Sequence, residues 1–559
     1  ICLILLVLYN FYFGNLQEGA YYNVKSFSIA KSFVLDNLGT MSKSEMELLL
    51  TKYKYHILGF VPTVAYDSEL LKKGLTLTAG IEIRKLIQES GDDEALKLLD
   101  EMKRNSSIRD AQMKRVISER SIDVDSLSQV INSQQKRLAE MSKVYGDYSK
   151  PFRLTWEDVR NSLKHGEAAV EFVAGDSIGN ITALVLEPGY DIPKAIALKV
   201  PFQNIDEYDQ EERDDSLSSK EAIAEMLRPL LDEIPEAELV YFTPAGILHQ
   251  TPIENVSDCG KKFIRLTSKR EIALREERSQ QPVHSGITAY GGLRYDGGAD
   301  GQLAENTILQ GDSFAYRSRG LNRTSSDNGI DRSNYEYLPG TLPEVVKIDS
   351  IATSKGAASV LLTAYKGTEG SVKALGGKAP RLLHIATHGI FEKFNKMKNK
   401  GMEFLGNDQR MHRVSDEEKA LTHTGLLMSG GYAALKGTEL PENMEDGLLT
   451  AKEVSLIDLR GCDLVVMSAC SPGLGNITDE GVFGLQRGFK KAGVNSILMS
   501  LWNVDDKATQ MLMVEFYKHY LSGETKLKAL EKAQQYVKSH PDFASPKFWA
   551  GFVLLDVLN

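Results

Sequence analysis

The chain contains few cysteines, and they are far apart. Its 559 residues include Cys2, Cys259, Cys462 and Cys470. Four scattered cysteines cannot form a disulfide framework, and no CxxC pair is present to bind zinc. We therefore expect free thiols in a reducing compartment, which predicts a cytoplasmic protein.

A long apolar run and an excess of positive charge are also missing. The strongly apolar stretch at residues 1–13 is shorter than the roughly 18 residues that span a bilayer, so we expect a buried helix and no membrane partner. The chain begins with Ile1, and we expect it to be a fragment of a longer protein. A net charge of −10 argues against direct binding of nucleic acid.

The remaining composition is that of a folded protein, with 42% hydrophobic and 25% charged residues. Residues 1–150 show apolar side chains three and four positions apart, most clearly in an arm at 127–141, and predict helices without a clean internal repeat. Residues 151–295 contain alternating patterns that predict a hairpin and a sheet. Residues 296–340 are rich in Gly, Ser, Asn and Asp and predict a flexible insert.

Residues 341–559 alternate short apolar strands with helices, a pattern that the strand beginning at Ile287 already opens. Such strands are typical of a doubly wound, mostly parallel sheet with helices on both faces. A second insert is expected at 391–446. A helix is expected from Asp479 to Gly493.

Two side chains follow strands of this series directly. His388 follows the strand at Arg381–Thr387, and Cys470 follows the strand at Asp463–Ala469. If these strands are neighbours, both side chains leave the same edge of the sheet, about 4.8 Å apart in strand spacing. A thiol with a pKa of about 8.5 needs a base to become a nucleophile, and an imidazole supplies one.

Acyl transfer also needs donors for the developing oxyanion. The backbone N–H groups of Gly389 and Cys470 are suitably positioned in the sequence. The predicted helix near Asp479 would assist the thiolate through its dipole, partly offset by Asp479 and Glu480.

Other interpretations of these residues remain open or are excluded. A cysteine at a strand end is often only part of the core, and His384 and Cys462 are expected to be structural. The His384 to His388 spacing lacks the Glu of a zinc helix, and no metal or other cofactor is expected. Gly175–Gly179 matches G-x-S-x-G but precedes a strand, so we expect a hairpin turn. No nucleotide-binding glycine motif is present.

Four segments carry a resemblance to a known family. These are LLHIATHG, GLLTAKEVSLIDLRGCDLVVMSACSPGLG, EGVFGLQRGFKKAGVNSILMSLWNVDDKAT and FWAGFVL. They resemble the CHAT domain, a caspase-like module associated with tetratricopeptide repeats (TPRs) and related to caspases and separase. The resemblance extends over about residues 151–559, and the helical part is similar to the segment that links TPRs to this module in bacterial proteins.

The resemblance implies a cysteine endopeptidase with His388 as general base and Cys470 as nucleophile. It also implies that Ser500 and Trp502 line the substrate pocket, beside an edge strand that pairs with an extended peptide. Asp505 and Asp506 would add negative charge for a basic side chain, although acids at a helix start are usually caps. Glu480 could likewise attract a basic side chain or act as a cap.

The expected substrates are specific partner proteins in bacterial signalling or defence, with a protein activator bound by the helical arm. Two alternatives remain. One is a non-catalytic, caspase-like interaction platform on a TPR scaffold. The other is a thiol hydrolase acting on small amides, for which we expect a closed pocket beside Trp502.

Overall fold

The computed structural model describes most of the chain and shows two kinds of architecture. The described residues are 2–53, 61–113, 120–175, 180–201, 215–256, 260–295, 337–391, 415–432, 445–469, 475–478 and 480–558. Helices form the first part, and a large, mostly parallel sheet with flanking helices forms the second. This is the predicted fold class. Most of the expected insert at 296–340 lies outside the described residues.

Helices precede the first strand. In the described part they are α1 (Cys2–Tyr12), α2 (Leu16–Asn37), α3 (Lys43–Tyr53), α4 (Pro62–Lys72), α5 (Leu75–Ser90), α6 (Asp93–Met113), α7 (Val124–Tyr145), α8 (Lys150–Arg153) and α9 (Trp156–Ser162). The predicted arm lies within α7, which begins where the Asp123 carboxylate accepts a hydrogen bond from the Asp125 N–H. Its apolar face packs through Leu138 against Ile87 of α5 and Leu99 of α6.

The expected burial of the first helix is wrong. Val7 is fully buried, but Leu5 and Tyr12 are 58% and 84% exposed. The reason is that α2 packs along one side of α1, whereas apolar residues surround the helix on all sides. Among the described helices, none combines the length and the apolar character needed to cross a bilayer.

The strands and later helices follow the predicted alternation. The strands are β1 (Glu167–Ala174), β2 (Asn180–Leu186), β3 (Lys194–Lys199), β4 (Leu239–Thr243), β5 (Lys262–Arg265), β6 (Ile287–Leu293), β7 (Ser359–Ala364), β8 (Leu382–Ile385), β9 (Gly389–Phe391), β10 (Thr424–Leu427), β11 (Leu448–Thr450), β12 (Leu464–Met467), β13 (Gly475–Thr478), β14 (Gly481–Gly484), β15 (Ser496–Ser500) and β16 (Phe552–Leu555). The later helices are α10 (Lys220–Glu233), α11 (Arg270–Ala273), α12 (Arg275–Ser279), α13 (Thr341–Ser354), α14 (Glu369–Lys373), α15 (Asp416–Thr422), α16 (Ala451–Val454), α17 (Leu485–Ala492), α18 (Asp506–Tyr520) and α19 (Lys526–Lys538).

Eleven strands form one sheet in the order β3-β2-β1-β4-β5-β16-β15-β12-β8-β6-β7. One group of mutually parallel strands consists of β15, β12, β8, β6 and β7. The second parallel group consists of β1, β4, β5 and β16. The two groups meet at the antiparallel pair β15 and β16. The carboxyl ends of β8 and β12 therefore lie at one edge of the sheet, and those of β4 and β5 lie at the opposite edge.

The predicted start of the helix near Asp479 is wrong, whereas its predicted end is confirmed. The helix expected from Asp479 begins only at Leu485, because Gly481–Gly484 pairs with Gly475–Thr478 as a hairpin. The predicted glycine stop at Gly493 is confirmed, with φ of 97°.

The second insert is not simply a surface loop. Its described part contains α15 and β10, and β10 pairs with β9 and β11 in a small antiparallel sheet. Residues 392–414 and 433–444 of this insert lie outside the described residues.

The helical region and the sheet share an apolar core. Tyr66 and Leu70 of α4 are buried with Ala169 of β1 and Tyr241 of β4. The helical part is thereby packed onto the sheet, which brings helical residues close to the carboxyl ends of β1 and β4.

Candidate active site

The strand that leads to His388 is held in the centre of the sheet. β8 lies between β6 and β12, and all four of its residues are buried. An apolar strand buried on both faces needs neighbours on both sides to satisfy its backbone groups. The chain leaves this strand at Ile385, and His388 follows at its carboxyl end.

His388 itself is 5% exposed, and its surroundings restrict its movement. Its imidazole ring lies against the Tyr295 ring, with centroids 5.0 Å apart and planes inclined by 55°. The Tyr295 hydroxyl is 3.0 Å from Thr387 Oγ1, which donates a hydrogen bond to the Leu427 carbonyl. The Leu427 N–H donates to the His388 carbonyl at 2.9 Å. The main chain before and after the imidazole is therefore anchored to β10.

Gly389 begins β9 opposite Leu426 of β10. It is half-buried, so its backbone lies near the surface at the sheet edge where β8 ends.

The predicted adjacency of the two candidate strands is confirmed. β8 and β12 are parallel neighbours, with Ile385 opposite Met467. The ladder extends one residue further, since the Ser468 N–H donates to the Ile385 carbonyl at 2.9 Å. Ala469 is buried, and its carbonyl accepts a hydrogen bond from Ser500 Oγ at 3.0 Å. Cys470 lies outside the described residues, so the contact between imidazole and sulfur stays a prediction.

The predicted pocket residues follow the neighbouring strand β15. This strand is not an edge strand, because β12 and β16 flank it and the Leu501 N–H donates to the Gly551 carbonyl at 2.8 Å. The Trp502 side chain is 2% exposed, and its indole Nε1 donates to the Lys547 carbonyl at 2.9 Å. The expected peptide pairing along β15 is therefore blocked, because its backbone groups are already used within the sheet.

The acidic residues expected near the pocket have structural partners. The Asp505 carboxylate caps α18 by accepting from the Ala508 N–H at 2.8 Å. The Asp506 carboxylate accepts from the Gly340 N–H at 2.6 Å. Glu480 accepts from Thr76 of α5 and from Arg487 of α17. Glu480 thus links the hairpin that follows residue 474 to the helical region.

The residues expected to be structural are buried and partnered. His384 Nε2 lies 2.8 Å from the Glu344 carboxylate, and its Nδ1 lies 3.3 Å from the Tyr517 hydroxyl. Burial raises the pKa of the Cys462 thiol to about 12, which makes it a poor nucleophile. Among the described residues, no cluster of His, Cys, Asp or Glu could hold a metal ion.

No sequence pattern pointed to the role of Tyr295. It lies 93 residues before His388 in the chain, directly before the segment expected to be an insert. Only the pairing of β6 with β8 brings the two rings together.

Curated relatives of the chain include mammalian proteins. Tetratricopeptide repeat protein 28 of Mus musculus is 38% identical over 109 residues, which are 19% of this chain and 4% of that protein. The Homo sapiens protein of the same name is 36% identical over 112 residues, which are 20% of this chain and 4% of that protein. The chain thus spans a small part of the relatives it matches, and the expected bacterial origin stays a prediction.

Solved structures with a distantly similar fold include a cysteine proteinase and a separase–securin complex. The Arg-specific cysteine proteinase gingipain R has a TM-score of 0.34 and 10% identity, covering 60% of this chain and 67% of that chain. Separase, in the Saccharomyces cerevisiae separase–securin complex, has a TM-score of 0.39 and 10% identity, covering 97% of this chain and 44% of that chain.

The sequence profile of the CHAT domain matches residues 218–556. This range begins at Ser218, just before α10, and ends directly after β16, so it includes both strands that lead to the candidate residues. Because the match covers more than half of the 559 residues, this protein belongs to the CHAT domain family.

Proposed function

We propose that this protein is a cysteine endopeptidase in which His388 is the general base and Cys470 is the nucleophile. The register of β8 and β12 carries the proposal. Ile385 lies opposite Met467, and each candidate residue follows its strand partner by three positions. Parallel neighbouring strands about 4.8 Å apart direct equivalent downstream residues to the same edge of the sheet. Membership of the CHAT family supports the same class of reaction.

The reaction would proceed through an acyl-enzyme. The imidazole takes the thiol proton, and the thiolate attacks the carbonyl carbon of the peptide bond. The backbone N–H groups of Gly389 and Cys470 would donate to the resulting oxyanion. The intermediate collapses as the C–N bond breaks, and the imidazolium protonates the leaving amine. Water, deprotonated by His388, then hydrolyses the thioester and releases the acid and the thiol.

The contacts of His388 suit this role. A base must stay within hydrogen-bond reach of its proton donor through both transfers. The Tyr295 ring lies against the imidazole. The residue before His388, Thr387, is hydrogen-bonded to Leu427 of β10. These contacts reduce the number of orientations that the imidazole can adopt before the substrate binds.

Substrate recognition is proposed at the end of β15. Ser500 Oγ donates to the carbonyl of Ala469, the residue before Cys470. Ser500 would therefore hold the backbone next to the nucleophile while it borders the pocket. Because β15 is an interior strand, an extended peptide would have to pair beyond Ser500. The Asp505 carboxylate already accepts a hydrogen bond from the Ala508 N–H at the start of α18. If this carboxylate also attracts a basic side chain of the substrate, it would do so while keeping that hydrogen bond.

The proposed substrates are one or a few partner proteins, cleaved in signalling or defence. The helical region would bind an activating protein. The helical region contacts the chain downstream of Cys470, because Thr76 of α5 donates to Glu480 at 2.8 Å, and Glu480 lies between the paired strands β13 and β14. Binding of an activating protein to the helices could be passed on through this contact.

The test is labelling by a peptide that carries a thiol-directed electrophile, followed by mapping of the modified cysteine. We expect fast labelling of Cys470 that is lost in His388→Ala. His165→Ala is the matched control, because His165 is exposed and distant in sequence from both strands. Cleavage of candidate proteins is then followed by mass spectrometry of new termini, with Cys470→Ala as the inactive control.

Two results would contradict the proposal. Equal labelling of all four cysteines, unaffected by His388→Ala, would favour a non-catalytic interaction platform. Turnover of small amides without any protein cleavage would favour a thiol hydrolase.

A further inference from the structure

A cleft lies at the sheet edge opposite the candidate active site. Three parts of the fold meet there. Lys73 and Leu77 come from the helical region, His249 and Arg265 from the loops and strands of β4 and β5, and Val482 from the hairpin β13–β14. Ligands of open α/β sheets commonly bind at the carboxyl ends of parallel strands, and β4 and β5 end here.

Cations outnumber carboxylates among the residues that line the cleft, which include Lys73, Arg265, Arg487 and Lys490 but, of the acids, Glu480. Behind this lining, Lys73 and Lys269 both lie within ion-pair distance of the Glu171 carboxylate in the middle of β1. Lys269 is fully buried, and its Nζ donates to Thr243 Oγ1 at 2.9 Å. Arg270, also buried, donates to the carbonyls of Leu70 and Lys73 and has no carboxylate within ion-pair distance among the described residues.

The nearby carboxylates do not remove this excess. Both carboxylate oxygens of Glu254 accept hydrogen bonds from the Arg265 guanidinium. Glu69 lies 2.5 Å from Lys72 but 3.8 Å from Lys73. On the opposite wall Lys490 is paired with Asp556, and Arg487 is paired with Glu480 and Glu417. The positive charge that remains lies at Lys73, which lines the cleft, and at Lys269 and Arg270, which bond to the lining residues Thr243 and Lys73.

Two polar side chains face the cleft with hydrogen-bonding capacity to spare. The His249 imidazole and the Gln486 amide both line it, and within the described part of the chain neither side chain forms a hydrogen bond. Burial, followed by the charges of Lys73 and Arg265, holds the pKa of His249 well below its usual range. A neutral imidazole and a carboxamide can each donate one hydrogen bond to a ligand.

We propose that this cleft is a binding site for a small anion with phosphate or carboxylate groups. The ligand's charge would offset the excess of the buried cations, and its oxygen atoms would accept hydrogen bonds from His249 and Gln486. The site is separate from the proposed catalytic pair, because it lies at the carboxyl ends of the other group of parallel strands.

Binding should be linked to proton uptake. Burial, together with Lys73, lowers the pKa of Lys269 to about 7 in spite of Glu171. Since a bound anion favours the charged amine, it raises this pKa, and the anion should bind more tightly at pH 6 than at pH 8. The groups that face Lys269 are Glu171 on β1, Thr243 on β4 and Lys73 after α4.

The experiment is isothermal titration of the full chain with pyrophosphate, citrate and sulfate at constant ionic strength. We expect saturable binding of at least one probe, and pyrophosphate and citrate distinguish a phosphate site from a carboxylate site. Gln486→Glu should weaken binding by about tenfold or more, since it places a like charge in the cleft. The matched control is Gln535→Glu, on the exposed face of α19, which should leave the affinity unchanged.

A second variant tests the buried charge. Lys269→Met removes the excess cation without leaving Glu171 unpaired, so the protein should stay folded while binding weakens and loses its pH dependence. Sulfate is the probe for the pH series, because it does not titrate between pH 6 and 8. The proposal is overturned if no probe saturates, if Gln535→Glu weakens binding as much as Gln486→Glu, or if Lys269→Met binds as tightly as the unmodified protein.

Discussion

The strongest test of the packing between the helical region and the sheet is the substitution Glu417→Gln. Glu417 is fully buried, and its carboxylate contacts Arg487 and Lys491 of α17. It also lies 3.5 Å from Lys43 of α3. One carboxylate thus joins α15, α17 and the helical region. The substitution keeps the shape of the side chain but removes its charge.

The expected loss is large because Arg487 and Lys491 would stay buried, and Lys43 partly buried, without this carboxylate. Removing one partner of a buried ion pair costs about 3–5 kcal/mol in the free energy of unfolding. The neighbouring Asp416→Asn is a matched control, since Asp416 is 79% exposed and lies 3.2 Å from Lys419. Exposed pairs of this kind contribute about 0–1 kcal/mol.

The measurement is the urea midpoint of both variants and of the unmodified protein. Although burial disfavours the charged form, Lys491, Arg487 and Lys43 hold the pKa of Glu417 well below its usual range. The contribution of Glu417 to the free energy of unfolding should therefore be complete above about pH 4.3, the pKa of Glu in the unfolded chain. This contribution should be lost as the pH falls through the lower pKa of Glu417 in the folded protein. A midpoint for Glu417→Gln at neutral pH no lower than that for Asp416→Asn would refute the reasoning.

Three further outcomes are expected. Tyr295→Ala should lower kcat by about 10- to 100-fold with little change in KM, whereas Tyr295→Phe, which retains the ring against His388, should keep most activity in the same peptide assay. Cys462, whose pKa burial raises to about 12, should resist alkylation at pH 8 until the protein is unfolded, as mass spectrometry would show. Burial, followed by the charge of Glu417, raises the pKa of Glu47 to about 7, so the free energy of unfolding should fall between pH 5 and 7 by at most about 1.4 kcal/mol per pH unit. Glu47→Gln should flatten this slope in urea titrations, and an unchanged slope would contradict the assignment.

The alternation of strands and helices could be predicted because it depends on local patterns. β8, β12 and β15 are short, uniformly apolar segments, and their burial in a parallel sheet follows from that composition. The capping box that Thr450 and Glu453 form at the start of α16 is also a local pattern, with a Thr followed three residues later by a Glu. The adjacency of β8 and β12 was a condition of the sequence argument, and the structure meets it.

The misplaced helix start had a local cause as well. Residues 481–484 are compatible with either a helix or a hairpin, and the choice depends on pairing with Gly475–Thr478. Hydrophobic spacing cannot distinguish these outcomes over so short a segment.

Sequence alone determined the strand and helix pattern, the two candidate residues after strand ends and the mostly parallel character of the sheet, whereas the pairing of β8 with β12 came from the structure. Only the tertiary structure decided that the sheet reverses direction at β15 and β16, that Tyr295 lies against His388, and that Glu417 is buried between cations. The physical reason is the range of the interactions. Periodicity and capping act within a few residues, whereas a buried charge or a ring contact depends on partners brought together by the whole fold.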